Sequence, residues 1–144
     1  MPPIDVLCDA SVVLKWFHSE GEEQVGEARE LLARYRERLI GLFVLDLTMY
    51  EVGNALLRGR GVPTDAVTVV LSSLGELVPR WIPRPAEWVR AIELAQTHGL
   101  TLYVSAYAAV AERRHALLAT MDVPLVAANL GARPSEVLLA LPTA

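Results

Sequence analysis

Short apolar runs alternate along this chain with longer stretches in which apolar residues recur every three to four positions. The first run, residues 4–8, is too short for a typical helix and has the β-branching of a buried strand. It stops at Asp9. A small-residue turn follows, and helical spacing then carries through Val12, Val13 and Trp16. Asp9 is a turn residue, a helix cap, or a side chain at the carboxyl end of a strand, where open parallel sheets hold their ligands. Ser11 is a candidate cap for the helix, with its hydroxyl on the same crevice.

The same alternation continues. A polar loop at residues 18–23 leads into a helix in which Val25, Ala28, Leu31, Leu32, Tyr35 and Leu39 share a face. Its acids precede its arginines, as the helix dipole favours, and Glu30 stands four residues before Arg34. Residues 40–45 read as the second strand, ending at Asp46, and a mostly apolar helix follows to Arg60. Thr48, Glu51 and Asn54 fall on one stripe of that helix. A carboxylate on so apolar a helix needs a partner or a task, unless the stripe faces water. Gly59 and Gly61 end the helix. Thr64 is the natural cap of the next one, whose apolar face runs through Val67, Val70, Leu71, Leu74 and Leu77 or Val78.

Residues 77–82 suggest a short edge strand, because Pro79 cannot donate within a central one. A helix from Pro85 turns Trp88, Ile92 and Ala95 inward and stops at Gly99. Ser105 reads as the cap of a helix over 106–118, with Tyr107, Ala108, Ala111 and His115 on one face. Residues 124–128 are expected to form a strand ending at Asn129, and residues 137–141 a last strand. Strands separated by helices of this length make parallel βαβ units. The expected fold is therefore α/β, a three-layer α/β/α sandwich around a parallel sheet of four to five strands. Asp9, Asp46 near Glu51, Ser105 and Asn129 then converge on one polar crevice at the carboxyl edge of the sheet.

Composition adjusts this picture at a few points. The 144 residues suit a single domain, 1–144, able to bury a sizeable core. An apolar fraction of 53% and a mean hydropathy of +0.33 imply well-buried helices or a face that meets a partner. No apolar run reaches membrane-spanning length and the first residues do not read as a signal peptide, so the expected location is the cytoplasm, with no membrane partner. The lone cysteine, Cys8, falls inside the first strand, which points to a core thiol and excludes a disulfide framework. A net charge of −4 supplies no general field for nucleic acid, so any RNA contact must be local. His18 lacks a partner at ligand spacing and reads as a loop residue, and His115, next to Arg113 and Arg114, reads as a surface histidine.

Two stretches carry a resemblance: Asp9 through Trp16, and Glu51 through Leu56, the latter reading Glu51, Val52, Gly53, Asn54, Ala55, Leu56. Residues 100–111 and 123–130 add weaker support. Together they resemble PIN domains over nearly the whole length, most closely the VapC-type toxins of toxin–antitoxin pairs. The resemblance implies an endoribonuclease that uses Mg²⁺ or Mn²⁺, with Asp9 and Glu51 matching the family's first two acids and metal ligands, and Ser11 and Asn54 supporting them. Hard divalent cations take oxygen ligands, and clustered carboxylates supply them. The resemblance sets Ser105 at the third acid of the family. It sets Ala127 and Asn129 on the threonine and aspartate of the fourth-strand pattern, Val-Thr-x-Asp. Asp9, Glu51, Ser105 and Asn129 are thus the expected catalytic positions, two of them without charge. Asp46 is expected as a cap, and Asp122 at the opposite end of the sheet. Activity is expected to be weak or lost. The alternative is a catalytically inactive PIN-fold module that dimerises and binds an antitoxin-like partner, or RNA, without cleavage. Expected partners are a second copy in a homodimer or a VapB-like antitoxin, either of which could use the apolar surface near residues 64–77, Trp81 and Trp88, and an RNA substrate.

Overall fold

The structure, a computed structural model, describes residues 2–18 and 22–142; residues 19–21 of the expected polar loop and the last two residues lie outside it. Among the described residues four strands form one parallel sheet in the order β3-β2-β1-β4. They are β1 (Asp5–Cys8), β2 (Gly41–Leu45), β3 (Arg80–Trp81) and β4 (Leu117–Ala119). The register pairs Val6 with Leu42 and Leu117, and Cys8 with Ala119. The carboxyl ends of β1 and β4 therefore stand level, and Asp9 and Thr120 leave the sheet side by side. Asp9 N–H donates to the Ala119 carbonyl at 3.2 Å, which locks that alignment.

Period-two alternation sends side chains to two cores. Val6, Cys8, Leu42 and Val44 face helices α1 (Ala10–Phe17), α2 (Val25–Arg36), α3 (Asp46–Asn54), α4 (Thr64–Leu77) and α8 (Pro134–Ala140). Leu7, Leu45 and Leu118 face α5 (Pro85–His98), α6 (Leu102–Arg113) and α7 (Val123–Ala127). This is the expected three-layer sandwich, with four strands. A π-helical turn, Ala55–Gly59, continues α3 and brings the chain to Arg60, which pairs with Glu22. Lys15, buried on α1, pairs with the same Glu22 at 3.5 Å, and Trp16 Nε1–H donates to the Ala28 carbonyl at 2.9 Å, tying α1 to α2.

Several local expectations are corrected. Asp9, and not Ser11, caps α1, accepting from Val12 N–H. Thr64 is the first residue of its helix, after Pro63 at the cap position. On α5 the buried residues are Glu87, Ala91 and Leu94, while Trp88 and Ile92 face outward. Glu87 is the unexpected one: its carboxylate is neutralised by Arg114 through two hydrogen bonds of 2.8 and 2.9 Å. Thr101 caps α6, so Ser105 lies inside the helix. Residues 124–128 and 137–141 fall largely in α7 and α8 and form no strands. The fourth strand is instead Leu117–Ala119, at the end of what the periodicity extended as helix. His115, with φ of 54°, breaks that helix before the strand.

Candidate active site

A crevice of about 170 Å³ opens at the carboxyl ends of β1 and β4. Its walls are Asp9, Ala10, Ser11, Glu51, Val104, Tyr107, Met121 and Asp122. Three carboxylates from three separate elements thus share one depression. Asp9 is buried at 6% exposure at the tip of β1. Its Oδ1 accepts from the Ser11 hydroxyl at 2.5 Å and from Val12 N–H at 3.3 Å, and its Oδ2 accepts from the Thr120 hydroxyl. Both hydroxyls are held in turn: Met121 N–H donates to Ser11 Oγ and Asp122 N–H to Thr120 Oγ1, each at 2.9 Å. The turn after β4 is therefore clamped onto Asp9 through two oriented hydroxyls. Gly131 lets the returning chain pass this turn, since a Cβ there would come within 2.8 Å of the Thr120 methyl group.

Asp122 follows that turn and caps α7, its Oδ1 accepting from Leu125 N–H at 3.0 Å. Glu51 projects from α3, half-buried, and accepts from the Tyr107 hydroxyl at 2.6 Å. Burial pushes the Asp9 carboxyl up to about 6, against the pull of its hydrogen bonds, and the Glu51 charge adds to the rise. Burial also raises Glu51, with Tyr107 opposing. Among the described residues none of these three acids is paired with a lysine, arginine or histidine. The crevice is an uncompensated anionic site.

The residues expected in the crevice fare differently. Asp9, Ser11 and Glu51 are brought together there. Asn54 is exposed one turn beyond Glu51 and does not line it. Ser105 is fully buried inside α6 with no hydrogen-bond partner for its hydroxyl. A helix advances about 100° per residue, so the neighbour Val104 takes the crevice position, one turn before Tyr107. Asn129, in the left-handed region at φ 58°, borders a different depression with Ala116, Leu117 and Leu118, beside the amino end of β4. The expected positions of Asn129 and Asp122 are thus exchanged. Once β4 is Leu117–Ala119, the Thr-x-Asp pattern after the fourth strand is Thr120-Met121-Asp122, intact. The signal was present in the sequence, since Asp122 followed by Pro124 marks a helix start. Thr48 and Tyr107 are further residues of the site that the sequence reading does not single out: Thr48 shares a stripe with Glu51, and Tyr107 is expected on a helix face with His115, which lies beyond the end of α6.

The donor set fits a hard divalent cation: carboxylate oxygens that, among the described residues, are unpaired with protein cations, with Asp9 and Glu51 ionised against a cost of burial. Among the described residues no three such side chains cluster tightly enough to cage an ion alone. Mg²⁺ commonly binds through one or two carboxylates and keeps its waters, so that arrangement remains a fit.

Comparison with known proteins agrees with this geometry. Among solved structures, PAE2754 from Pyrobaculum aerophilum superposes with a TM-score of 0.67 at 25% identity, over 95% of this chain and 94% of that one. VapC20 of Mycobacterium tuberculosis, described as a toxin that cleaves the sarcin–ricin loop, gives 0.67 at 15% identity over 85% and 94%. A toxin–antitoxin complex from Klebsiella pneumoniae gives 0.63 at 17% over 90% and 97%. No curated protein matches the sequence. The family profile of the PIN domain matches residues 6–127, and the chain belongs to the PIN domain family. PIN domains are in general divalent-metal-dependent nucleases. Among the described residues no helix is long and apolar enough to cross a membrane.

Proposed function

We propose that this protein is a VapC-type endoribonuclease, working in the cytoplasm with Mg²⁺ or Mn²⁺ and restrained by an antitoxin. One observation carries the reading: Asp9, Glu51 and Asp122 line a single crevice and, among the described residues, have no cationic partner. Asp9 and Glu51 would hold the cation, with Asp122 beside them. When bound, the cation would offset their charge and polarise a phosphodiester and its attacking water. The chain's own part is to aim the acids and, through hydrogen bonds, to offset part of the burial that opposes their ionisation. Ser11 and Thr120 fix both Asp9 oxygens, and Tyr107 fixes one oxygen of Glu51. The depletion expected from Ser105 and Asn129 shrinks to one position, Val104, whose isopropyl group supplies no ligand. Lower metal affinity and slow cleavage follow, by about 10–100-fold relative to a full acid set.

A toxin–antitoxin complex among the similar folds supports an antitoxin partner, here one that sets a basic side chain against the three acids. For the homodimer, the exposed apolar cleft of Ile82, Trp88, Ile92, Leu102 and Tyr103 is the surface we favour. Val104 also favours a second reading, a PIN module that binds RNA or its partner without cutting.

Calorimetric titration with MnCl₂ tests both readings, run beside cleavage of a structured RNA and an Asp9→Asn control. Saturable binding and cleavage, both lost in the control, support the nuclease. Binding of RNA without metal uptake or cleavage supports the second reading and overturns the first.

A further inference from the structure

Tyr107 is 2% exposed, yet its hydroxyl reaches a crevice carboxylate and a buried hydroxyl at once. It donates to Glu51 Oε1 at 2.6 Å and lies 2.7 Å from Thr48 Oγ1. Thr48 is fully buried and already accepts from Leu45 N–H at 3.0 Å. Proton count then fixes the direction. An ionised Glu51 carboxylate can only accept, so Tyr107 spends its one proton there. The Tyr107 oxygen then accepts the hydroxyl proton of Thr48, whose Oγ1 meanwhile accepts from Leu45 N–H. The result is a one-way relay, from the backbone amide at the end of β2 through Thr48 and Tyr107 to Glu51.

Such a relay restrains a flexible side chain. A glutamate on a helix has three rotatable bonds, and one fixed oxygen removes most of that freedom while leaving the other oxygen unclaimed. Each hydrogen bond in a buried chain also strengthens its neighbours. We propose that Tyr107, held by Thr48, is a positioning residue that orients the Glu51 carboxylate toward a divalent cation in the crevice. This rests on the metal reading above. It matters more here because Val104 offers no ligand one turn away on α6. With fewer acids, the orientation of each counts for more.

Calorimetric titration with MnCl₂ on the full chain tests the relay, using wild type, Tyr107→Phe, Thr48→Val, Thr48→Ser and the Tyr107→Phe/Thr48→Val double variant. The electron paramagnetic resonance spectrum of bound Mn²⁺ is recorded in parallel. Tyr107→Phe and Thr48→Val should each weaken binding about tenfold. The double variant should be no worse than Tyr107→Phe alone, because Thr48 acts through Tyr107. Thr48→Ser, which keeps the hydroxyl, should bind as wild type does with the same spectrum. If Tyr107→Phe does not fold, the contrast between Thr48→Val and Thr48→Ser decides the question. Equal affinity across the variants, or losses that simply add, would overturn the relay while leaving the metal site intact. A wild type that takes up no Mn²⁺ would overturn the metal reading itself, and the relay with it.

Discussion

Asp9 makes the stability of the metal-free protein depend on pH in a way that can be isolated. Its carboxyl is pushed from an ordinary 3.8 up to about 6, first by burial and then by the Glu51 charge. A folded state that holds its proton more tightly than the unfolded chain is most stable below pH 4. It loses that advantage as the pH rises through about 6. The difference between 3.8 and 6 corresponds to about 3 kcal/mol. Other acids act in the opposite sense: Arg114 holds Glu87 low and Arg90 holds Glu112 low, so they add stability as the pH rises. The wild-type curve alone therefore mixes signs. Asp9→Asn removes only the crevice contribution, and its amide oxygen can still accept from Ser11 and Val12.

Urea denaturation of both proteins in chelator, from pH 4 to pH 8, gives the difference curve. Asp9→Asn should gain on wild type by about 2–3 kcal/mol between pH 4 and pH 7, whatever its offset at pH 4. Saturating Mn²⁺ at pH 7 should then restore wild type and leave Asp9→Asn unchanged, since only a bound ion stabilises the fold by mass action. A flat difference curve, or one that falls with pH, would refute the reasoning. Asp9 would then be solvated or already compensated.

Three further outcomes are expected. Val104→Asp should raise Mn²⁺ affinity about tenfold and lower stability in chelator, while Asn129→Asp should change neither; calorimetry on both variants separates the crevice from the amino end of β4. Asp122→Asn should keep the α7 cap, because asparagine caps nearly as well, yet weaken Mn²⁺ binding about tenfold. Ser105→Ala should stabilise the protein by about 1 kcal/mol, seen as a melting temperature a few degrees higher, since it deletes a buried hydroxyl with no partner.

Much of the frame was legible in the sequence because it rests on local rules. The β-branched run before Asp9, the helix from Pro85 to the left-handed Gly99, and the Pro79-limited edge strand all follow from backbone sterics. These constraints act within a few residues and need no distant partner. Asp9 and Glu51 were readable for a related reason: each stands where an apolar pattern stops or is interrupted by a charge.

The fourth strand was not readable in that way. Leu117–Ala119 is three residues long, and residues 124–128 form a longer apolar run. What selects between them is pairing with Val6, Leu7 and Cys8, a contact more than a hundred residues away. Local pattern carries no information about that register. Everything downstream hangs on it: Thr120 reaches Asp9, Asp122 enters the crevice, and Asn129 is carried away. On α6, one cap decided the rest. Starting the helix at Thr101 and not at Ser105 rotates Val104 into the crevice and Ser105 into the core. The sequence determined the kind of sheet and the helices up to α6, because hydrophobic period and turn chemistry are local, and it singled out Asp9 and Glu51 through the resemblance to PIN domains. Only the tertiary structure decided which acids share a site, because that depends on strand register and helix rotation.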